Sequence, residues 1–335
     1  MANKERKIWI DWFKMIGMVF IIWGHMFPYH FTDYVYSFSV PAFFWASGYL
    51  ASTNADIKTF LIKLWSNLVV PYLLICAVNL VLCVLIFHGH YLSVNGVAKS
   101  LAAIPLGIQS FPDQTAVGIG ALWFVYSLAI LKIVHYFTNA RILLVLSIIA
   151  LLIVWQLDPS NSYLAIFSTL LCLPFYTIGV CCREVKASPF NKVMRMPVAV
   201  QLVILLVLIV ALYFLSSINH APYLYKLEYG NNILLMLLNA TLGILILTLV
   251  SKLLELNNKM GETFLPNINA GMIIILGFQR WFVLIMTYII KPRVSSQIMF
   301  DLLSFTASIL ILLMFIPIIK TFSKHLPAFL GYRKI

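Results

Sequence analysis

The chain has 335 residues, of which 62% are hydrophobic and only 10% are charged, and its mean hydropathy is +0.97. Soluble domains are about 45–50% apolar and about 25% charged, so this composition excludes a water-soluble globular protein. The formal net charge of +12 does not indicate a nucleic-acid partner, because most lysines and arginines fall in loops on one side of the predicted membrane helices. We therefore predict an integral membrane protein with an all-α fold.

About ten apolar segments are long enough to cross a membrane as helices, each of which needs roughly 20 residues. They lie near 8–28, 34–51, 68–87, 118–137, 141–157, 162–182, 197–215, 231–251, 267–290 and 297–319. No long polar stretch is left for a soluble domain, so residues 1–335 are predicted to form one polytopic membrane helical bundle. The basic loops lie on the side of the N-terminus, and the positive-inside rule then places both termini in the cytoplasm.

The first predicted helix carries three ionisable residues within DWFKMIGMVFIIWGH, residues 11–25. A charge near the bilayer centre costs about 2.5–3.5 kcal/mol on insertion scales, so such residues usually face a protein interior or a wet cavity. Asp11 and Lys14 lie three residues apart on one helical face, where they can form a structural ion pair. His25 follows Lys14 by about three turns, so the two side chains share nearly one face and are roughly 16 Å apart.

This spacing suits a transfer reaction. An extended pantetheine arm spans a distance similar to that between Lys14 and His25, so the lysine can bind the phosphates of an acyl-coenzyme A while the thioester reaches the histidine. A neutral imidazole can remove a proton from a hydroxyl near neutral pH, and Gly24 leaves room for a ligand. The alternative is a structural histidine that is bonded to a neighbouring helix.

The same segment resembles the first helix of the acyltransferase 3 family of bacterial membrane O-acyltransferases, in which a basic residue precedes a histidine at this spacing. VYSFSVPAFFWASGYL (35–50) resembles the second helix of that family, and FLIKLWSNLVVPYLL (60–74) resembles its basic loop. LWFVYSLAIL (122–131) resembles its Leu-Trp-Phe-Leu helix, and NINAGMIIILGFQ (267–279) resembles a late helix of the branch that acetylates sugars. The resemblance covers most of the chain.

The resemblance implies transfer of an acyl group, with acetyl expected, from cytoplasmic acyl-CoA to a hydroxyl of a cell-surface or lipid-linked glycan. His25 would be the catalytic base. The protein would lie in the bacterial plasma (inner) membrane, in contact with membrane lipids. We expect it to bind neither a metal ion nor a nucleic acid. The other site residues expected are Lys14, Lys63 and Trp123 for the donor acetyl-CoA, and Asp11, Ser39, Gln279 and Arg280 for the substrate.

Several positions depart from the family pattern. The family often has histidine where this chain has Ser39 and Gln279, and it has arginines around Lys63. Lysine binds phosphate as a point charge and lacks the bidentate fork of arginine. Arg280 lies deep in a predicted helix, where it either binds an anionic group of a substrate or pairs with a buried acid, Asp11 or Asp301.

Two other functions stay open at the level of sequence. Charges inside a membrane also line the path of a transporter or flippase for a small metabolite or a glycan, although the internal repeats typical of transporters are not evident. The replaced histidines and arginines also fit a catalytically inactive family member that only binds a glycan or a partner. Ser47 and Gly48 are predicted to serve close helix packing rather than catalysis.

Overall fold

A computed structural model describes residues 7–52, 55–86, 93–111, 115–157, 164–184, 193, 195–256 and 261–331. Within these ranges the protein is all-helical, as predicted, and its one pairing of extended residues is an isolated bridge between Ile108 and Leu164. The helices are α1 (Ile8–Gly24), α2 (Thr32–Leu50), α3 (Ile57–Leu64), α4 (Val70–Ile86), α5 (Val94–Leu106), α6 (Trp123–Tyr136), α7 (Ala140–Gln156), α8 (Ala165–Glu184), α9 (Val198–Asn219), α10 (Ile233–Glu255), α11 (Gly261–Ala270), α12 (Met272–Ile290) and α13 (Gln297–His325).

Six helical stretches in the described part are long and apolar enough to cross a membrane, by length and composition: Ile57–Ile86, Ala165–Arg183, Val198–Lys226, Ile233–Glu255, Met272–Arg293 and Gln297–His325. The first of them comprises α3 and α4, which are joined by a π-helical turn. The prediction of about ten membrane-crossing helices is therefore not confirmed, although each predicted segment coincides with a helix. α1 has only 17 residues, and α2 is rich in small and polar side chains. α1 is therefore left out of these six by its length and α2 by its composition, although both helices are largely buried by their neighbours.

The centre of the bundle is formed by α1 and α2. α1 packs against α2, α10 and α13, and α2 packs most extensively against α8. A Cβ atom on Gly48 would overlap the backbone carbonyl of Tyr176, and one on Gly179 would overlap that of Trp45. The two glycines therefore let the backbones of α2 and α8 touch, which confirms the predicted packing role of Gly48. α9, in contrast, has an almost fully outward-facing surface.

One end of the bundle collects the start of α1 and the ends of α2 and α10. The amino group of Lys7 donates to the hydroxyl of Tyr49 at 3.2 Å, and the backbone N–H of Trp9 donates to the carboxylate of Glu255 at 3.2 Å. Lys252 lies 3.1 Å from the same carboxylate. We call this the basic end, because Lys7 and Lys252 lie there.

The opposite end brings together the last turn of α1 and the first turns of α2, α8 and α13, and we call it the cavity end. Gln109, in the loop between α5 and α6, donates from its amide to the hydroxyl of Ser168 on α8 at 2.7 Å. The ring of Tyr36 on α2 lies 4.9 Å from the ring of Tyr223, which belongs to the loop between α9 and α10. Loops and helix ends thus enclose a space beside His25.

Candidate functional site

His25 follows the last residue of α1, and its backbone is held by two neighbouring groups. Its N–H donates to the carbonyl of Ile21 at 3.2 Å, which continues the helical pattern. The hydroxyl of Tyr36 donates to the carbonyl of Gly24 at 3.2 Å. A Cβ atom on Gly24 would lie only 3.1 Å from Val35, so glycine allows α2 to approach the end of α1 at this point. The imidazole is therefore presented from a fixed backbone.

The loop after His25 is anchored to a buried carboxylate on α13. Asp301, which is 2% exposed, accepts the backbone N–H of Tyr29 at 2.6 Å and that of His30 at 3.0 Å. The ring nitrogen Nδ1 of His30 lies 2.8 Å from the same carboxylate. One turn further along α13, Ser304 accepts the indole N–H of the Trp23 side chain at 3.0 Å. These bonds fix both sides of His25 to the first turns of α13.

His25 is exposed to a cavity of about 440 Å³. Enclosed ligand sites in proteins commonly measure roughly 300–1,000 Å³, so this space is large enough for a substrate. One face of α12 contributes successive turns to its wall, and α2, α6 and the α5–α6 loop supply most of the rest. Five of the predicted site residues line this one cavity, namely His25, Ser39, Trp123, Gln279 and Arg280.

Gln279 is fully buried, and neither its amide oxygen nor its amide nitrogen has a hydrogen-bond partner in the described part of the protein. A buried polar group without a partner costs about 1–3 kcal/mol. Native proteins tolerate few such groups, and each of them requires an explanation such as a ligand that is not part of the chain. Because Gln279 lines the His25 cavity, a polar ligand in that cavity would explain it.

Arg280 also lines the cavity and is exposed to it. Within the described residues, its guanidinium makes no ion pair and no hydrogen bond. The predicted alternative, a buried pair with Asp11 or Asp301, is wrong. Asp301 is bound to His30 and to two backbone N–H groups, and Asp11 lies 3.6 Å from Lys14. The positive charge of Arg280 is thus left facing the cavity.

The other predicted site residues lie elsewhere. Lys14 and Asp11 form their ion pair near the start of α1, and neither lines the cavity. Between Lys14 and His25, the same face of α1 carries Met18, which is 2% exposed and closes that face. Lys63 is exposed in the last turn of α3. The structure therefore separates the predicted residues that line the His25 cavity from the Asp11–Lys14 pair near the start of α1.

Sequence reasoning missed Gln109, which also lines the His25 cavity. Its side chain is buried, and its amide oxygen has no hydrogen-bond partner in the described residues. The one signal in the sequence was an uncharged polar residue beside apolar Ile108 in a loop between two helices. That signal is weak, because the distance from Gln109 to His25 along the chain hides their proximity.

The five cysteines are free thiols, and two of them, Cys76 and Cys172, are buried. Among the residues that the structure describes, no group of three or more histidine, cysteine, aspartate or glutamate side chains is placed to hold a metal ion. The polar side chains that line the His25 cavity include the imidazole of His25, the guanidinium of Arg280, and the amides and hydroxyls of neighbouring residues.

The sequence matches the acyltransferase 3 family, which is described as an acyltransferase domain, over residues 7–323. No curated protein and no solved structure matches the chain. The family match spans nearly the whole sequence and includes every residue of the His25 cavity as well as the Asp301 anchor. Together with the membrane-type helices, this match is the basis for classification. The chain belongs to the acyltransferase 3 family.

Proposed function

We propose that this protein is a membrane O-acyltransferase that moves an acyl group, specifically acetyl, from acyl-CoA to a hydroxyl of a cell-surface or lipid-linked glycan. The observation that carries the proposal is the single cavity around which His25, Gln279 and Arg280 converge. A general base must come within hydrogen-bond reach of the hydroxyl that it deprotonates. The imidazole of His25 is exposed to this cavity, where a bound acceptor can reach it.

In the proposed reaction, the acceptor hydroxyl lies against His25, and its oxygen attacks the thioester carbonyl carbon while the imidazole accepts the hydroxyl proton. The resulting tetrahedral intermediate carries a negative oxygen, for which the hydroxyl of Ser39 is a hydrogen-bond donor in the same cavity. The carbon–sulfur bond then breaks, and the proton on His25 passes to the departing thiolate. The products are the acyl ester and free coenzyme A, and no acyl-enzyme is formed.

The donor reaches His25 from the basic end in this proposal. Lys14 binds a phosphate of the coenzyme, with Lys63 as a further positive charge on the same approach. The roughly 16 Å between Lys14 and His25 along α1 matches the pantetheine arm. Met18 lies between them and must move to let the arm pass, which its flexible thioether side chain allows. Trp123 lines the cavity and contacts the acyl end of the donor.

Sidedness follows from the same arrangement. In this proposal the basic end lies in the cytoplasm, where acyl-CoA is available, and the excess of lysine and arginine in the loops on that side supports this orientation. Both termini are then cytoplasmic, and the cavity end faces the outer side of the bacterial plasma membrane, where glycan acceptors lie. His25 stands at the end of α1 that is closer to the acceptor.

Transfer of labelled acetyl from acetyl-CoA to surface glycan in membranes tests this function. His25→Ala is expected to lower the transfer rate at least 100-fold, since general bases typically contribute 10²–10⁴. The matched control is His325→Ala, which removes an exposed histidine at the far end of α13. Full transfer by His25→Ala would contradict the catalytic role of the histidine. Failure of the native protein with every acceptor offered would favour an inactive family member.

A further inference from the structure

A second cavity, of about 640 Å³, adjoins the His25 cavity at the cavity end. The two cavities share part of their walls, including Gln109, Ser110 and Arg280. The larger one is bordered by α4, α5, the α5–α6 loop and α12. Together they provide more space than the acyl group and one hydroxyl require, so most of a substrate can be accommodated next to the reacting atoms.

Some polar groups of the larger cavity are already used by the fold. The side-chain amide of Asn79 donates to the carbonyl of Gly277 at 3.0 Å, and its oxygen accepts the indole N–H of Trp281 at 2.9 Å. Both ends of this amide are therefore satisfied, and they join α4 to α12. Asn79 positions the wall and is not free to bind a ligand.

Gln109 differs from Asn79, because half of its amide is unused. The hydroxyl of Ser168 donates to the carbonyl of Tyr225 at 3.2 Å, so the oxygen of that hydroxyl accepts from Gln109 at 2.7 Å. This chain of bonds requires the nitrogen of the Gln109 amide to face Ser168. The amide oxygen is consequently fixed on the other side, buried and without a partner among the described residues. This oxygen can accept a hydrogen bond from a hydroxyl or an amine of a ligand.

Three groups that line these cavities have no partner in the described part of the chain. The oxygen of Gln109 and the guanidinium of Arg280 belong to residues that border both cavities, and the whole amide of Gln279 belongs to the wall of the His25 cavity. Two amides that offer donors and acceptors suit a ligand that carries several hydroxyls. An arginine without a nearby carboxylate suits a ligand that brings its own negative charge. A carboxylate or phosphate of the ligand would supply the opposite charge that a charged residue inside a membrane protein usually has nearby.

We infer that the acceptor is an anionic, hydroxyl-rich sugar unit, which is bound across the two cavities by Gln109, Gln279 and Arg280. Gln109 and Gln279 bind sugar hydroxyls, and Arg280 binds a carboxylate or phosphate of the acceptor. This assignment rests on the proposed function, since it places the reacting hydroxyl beside His25. It assigns Gln109 to substrate binding. It also assigns Arg280 to binding of the acceptor sugar rather than of the donor acyl-CoA.

The test measures acetyl transfer from acetyl-CoA by the purified full chain to three matched acceptors: methyl glucoside, methyl glucuronide and glucose 1-phosphate. The expected kcat/KM is roughly tenfold higher or more for at least one anionic acceptor than for the neutral one. Comparison of the two anionic acceptors distinguishes carboxylate from phosphate. Arg280→Gln should remove the preference, and Arg280→Lys should keep part of it. Equal use of all three acceptors by the native protein would overturn the inference and leave acyl transfer intact.

Gln109→Met keeps the volume of the side chain and removes the acceptor oxygen. The KM for the preferred acceptor is expected to rise roughly fivefold to tenfold, whereas the KM for acetyl-CoA should stay within about twofold. The unchanged donor KM also shows that the variant is folded. An acceptor KM within twofold of the native value would remove Gln109 from the acceptor site.

Binding of methyl glucuronide and glucose 1-phosphate in the absence of donor separates this inference from the proposed function. If no acceptor is acetylated, the acyltransferase proposal fails, but thermal stabilisation of the native protein by an anionic sugar still supports the anion site. Arg280→Gln should abolish that stabilisation. Its persistence in Arg280→Gln, or its absence in the native protein, would overturn the site.

Discussion

The two ends of α1 carry ionisable groups in opposite situations. Near the start of the helix, Asp11 and Lys14 neutralise each other across 3.6 Å. At the other end, His25 opens onto a cavity where Gln279 and Arg280 have no partners in the described residues. A charged residue in a membrane helix therefore does not by itself mark a reaction site. The stronger indication is a set of polar atoms that the fold leaves for a ligand.

The largest effect among the variants outside the cavity is expected at Asp301, which anchors the loop after His25. Asp301→Ala removes the acceptor of the backbone N–H groups of Tyr29 and His30, and each donor that is left buried without a partner costs about 1–3 kcal/mol. Transfer should fall roughly 100-fold, with a lower Tm by differential scanning fluorimetry.

Asp301→Asn provides the conservative comparison. It keeps one acceptor oxygen, so it should recover part of the lost transfer. A native rate of transfer by folded Asp301→Ala would show that the anchor does not position His25. The position of His25 would then not depend on the hydrogen bonds between its loop and α13.

A smaller effect is expected at Met18, which lies between Lys14 and His25 on the same face of α1. Met18→Phe replaces a flexible side chain with a rigid one of larger volume, and such overpacking typically costs about 1–3 kcal/mol of stability. If the pantetheine arm passes this point, kcat/KM for acetyl-CoA should fall about tenfold. Met18→Leu, which nearly conserves volume, should stay within about threefold. Normal kinetics of Met18→Phe would place the donor path elsewhere.

The smallest effect is expected at Asp11. Asp11→Asn removes the charge but keeps the shape and a hydrogen-bond acceptor. The side chain of Asp11 is 11% exposed and that of Lys14 is 23% exposed, and a hydrogen bond to a charged group contributes about 1.5–3 kcal/mol, so the free energy of unfolding should fall by no more than that amount. Transfer should stay within about twofold of the native rate. A 100-fold loss of transfer would mean that the Asp11–Lys14 pair takes part in the chemistry, and the contrast between the two ends would disappear.

Much of the helical arrangement was predictable from hydrophobic patterning, because lipid-facing and core-facing helices both require long apolar runs. The number of membrane-crossing helices was not, since α1 and α2 are covered by neighbouring helices and their lengths and compositions differ from those of lipid-facing helices. The interruption at Gly271, between α11 and α12, was also not predicted within the segment 267–290. Only tertiary packing separates these cases.

The candidate site was predictable where it depends on one element. His25 was identified from α1 alone, and Gln279 and Arg280 from α12 alone. The grouping of these residues, the anchor of His30 on Asp301 and the contribution of Gln109 depend on contacts between distant segments. Arg280 shows the limit most clearly: its charge was evident in the sequence, but the choice between an acidic partner and an open cavity required the positions of Asp11 and Asp301.

The most direct test compares His25→Ala with Lys14→Ala in steady-state acetyl transfer at varied acetyl-CoA. If the cavity end performs the chemistry and the basic end binds the donor, His25→Ala lowers kcat at least 100-fold. Lys14→Ala raises the KM for acetyl-CoA roughly tenfold, with kcat within about threefold, because it removes a charge-assisted hydrogen bond to phosphate. Loss of kcat in Lys14→Ala together with native kcat in His25→Ala would contradict this division between the two ends of α1.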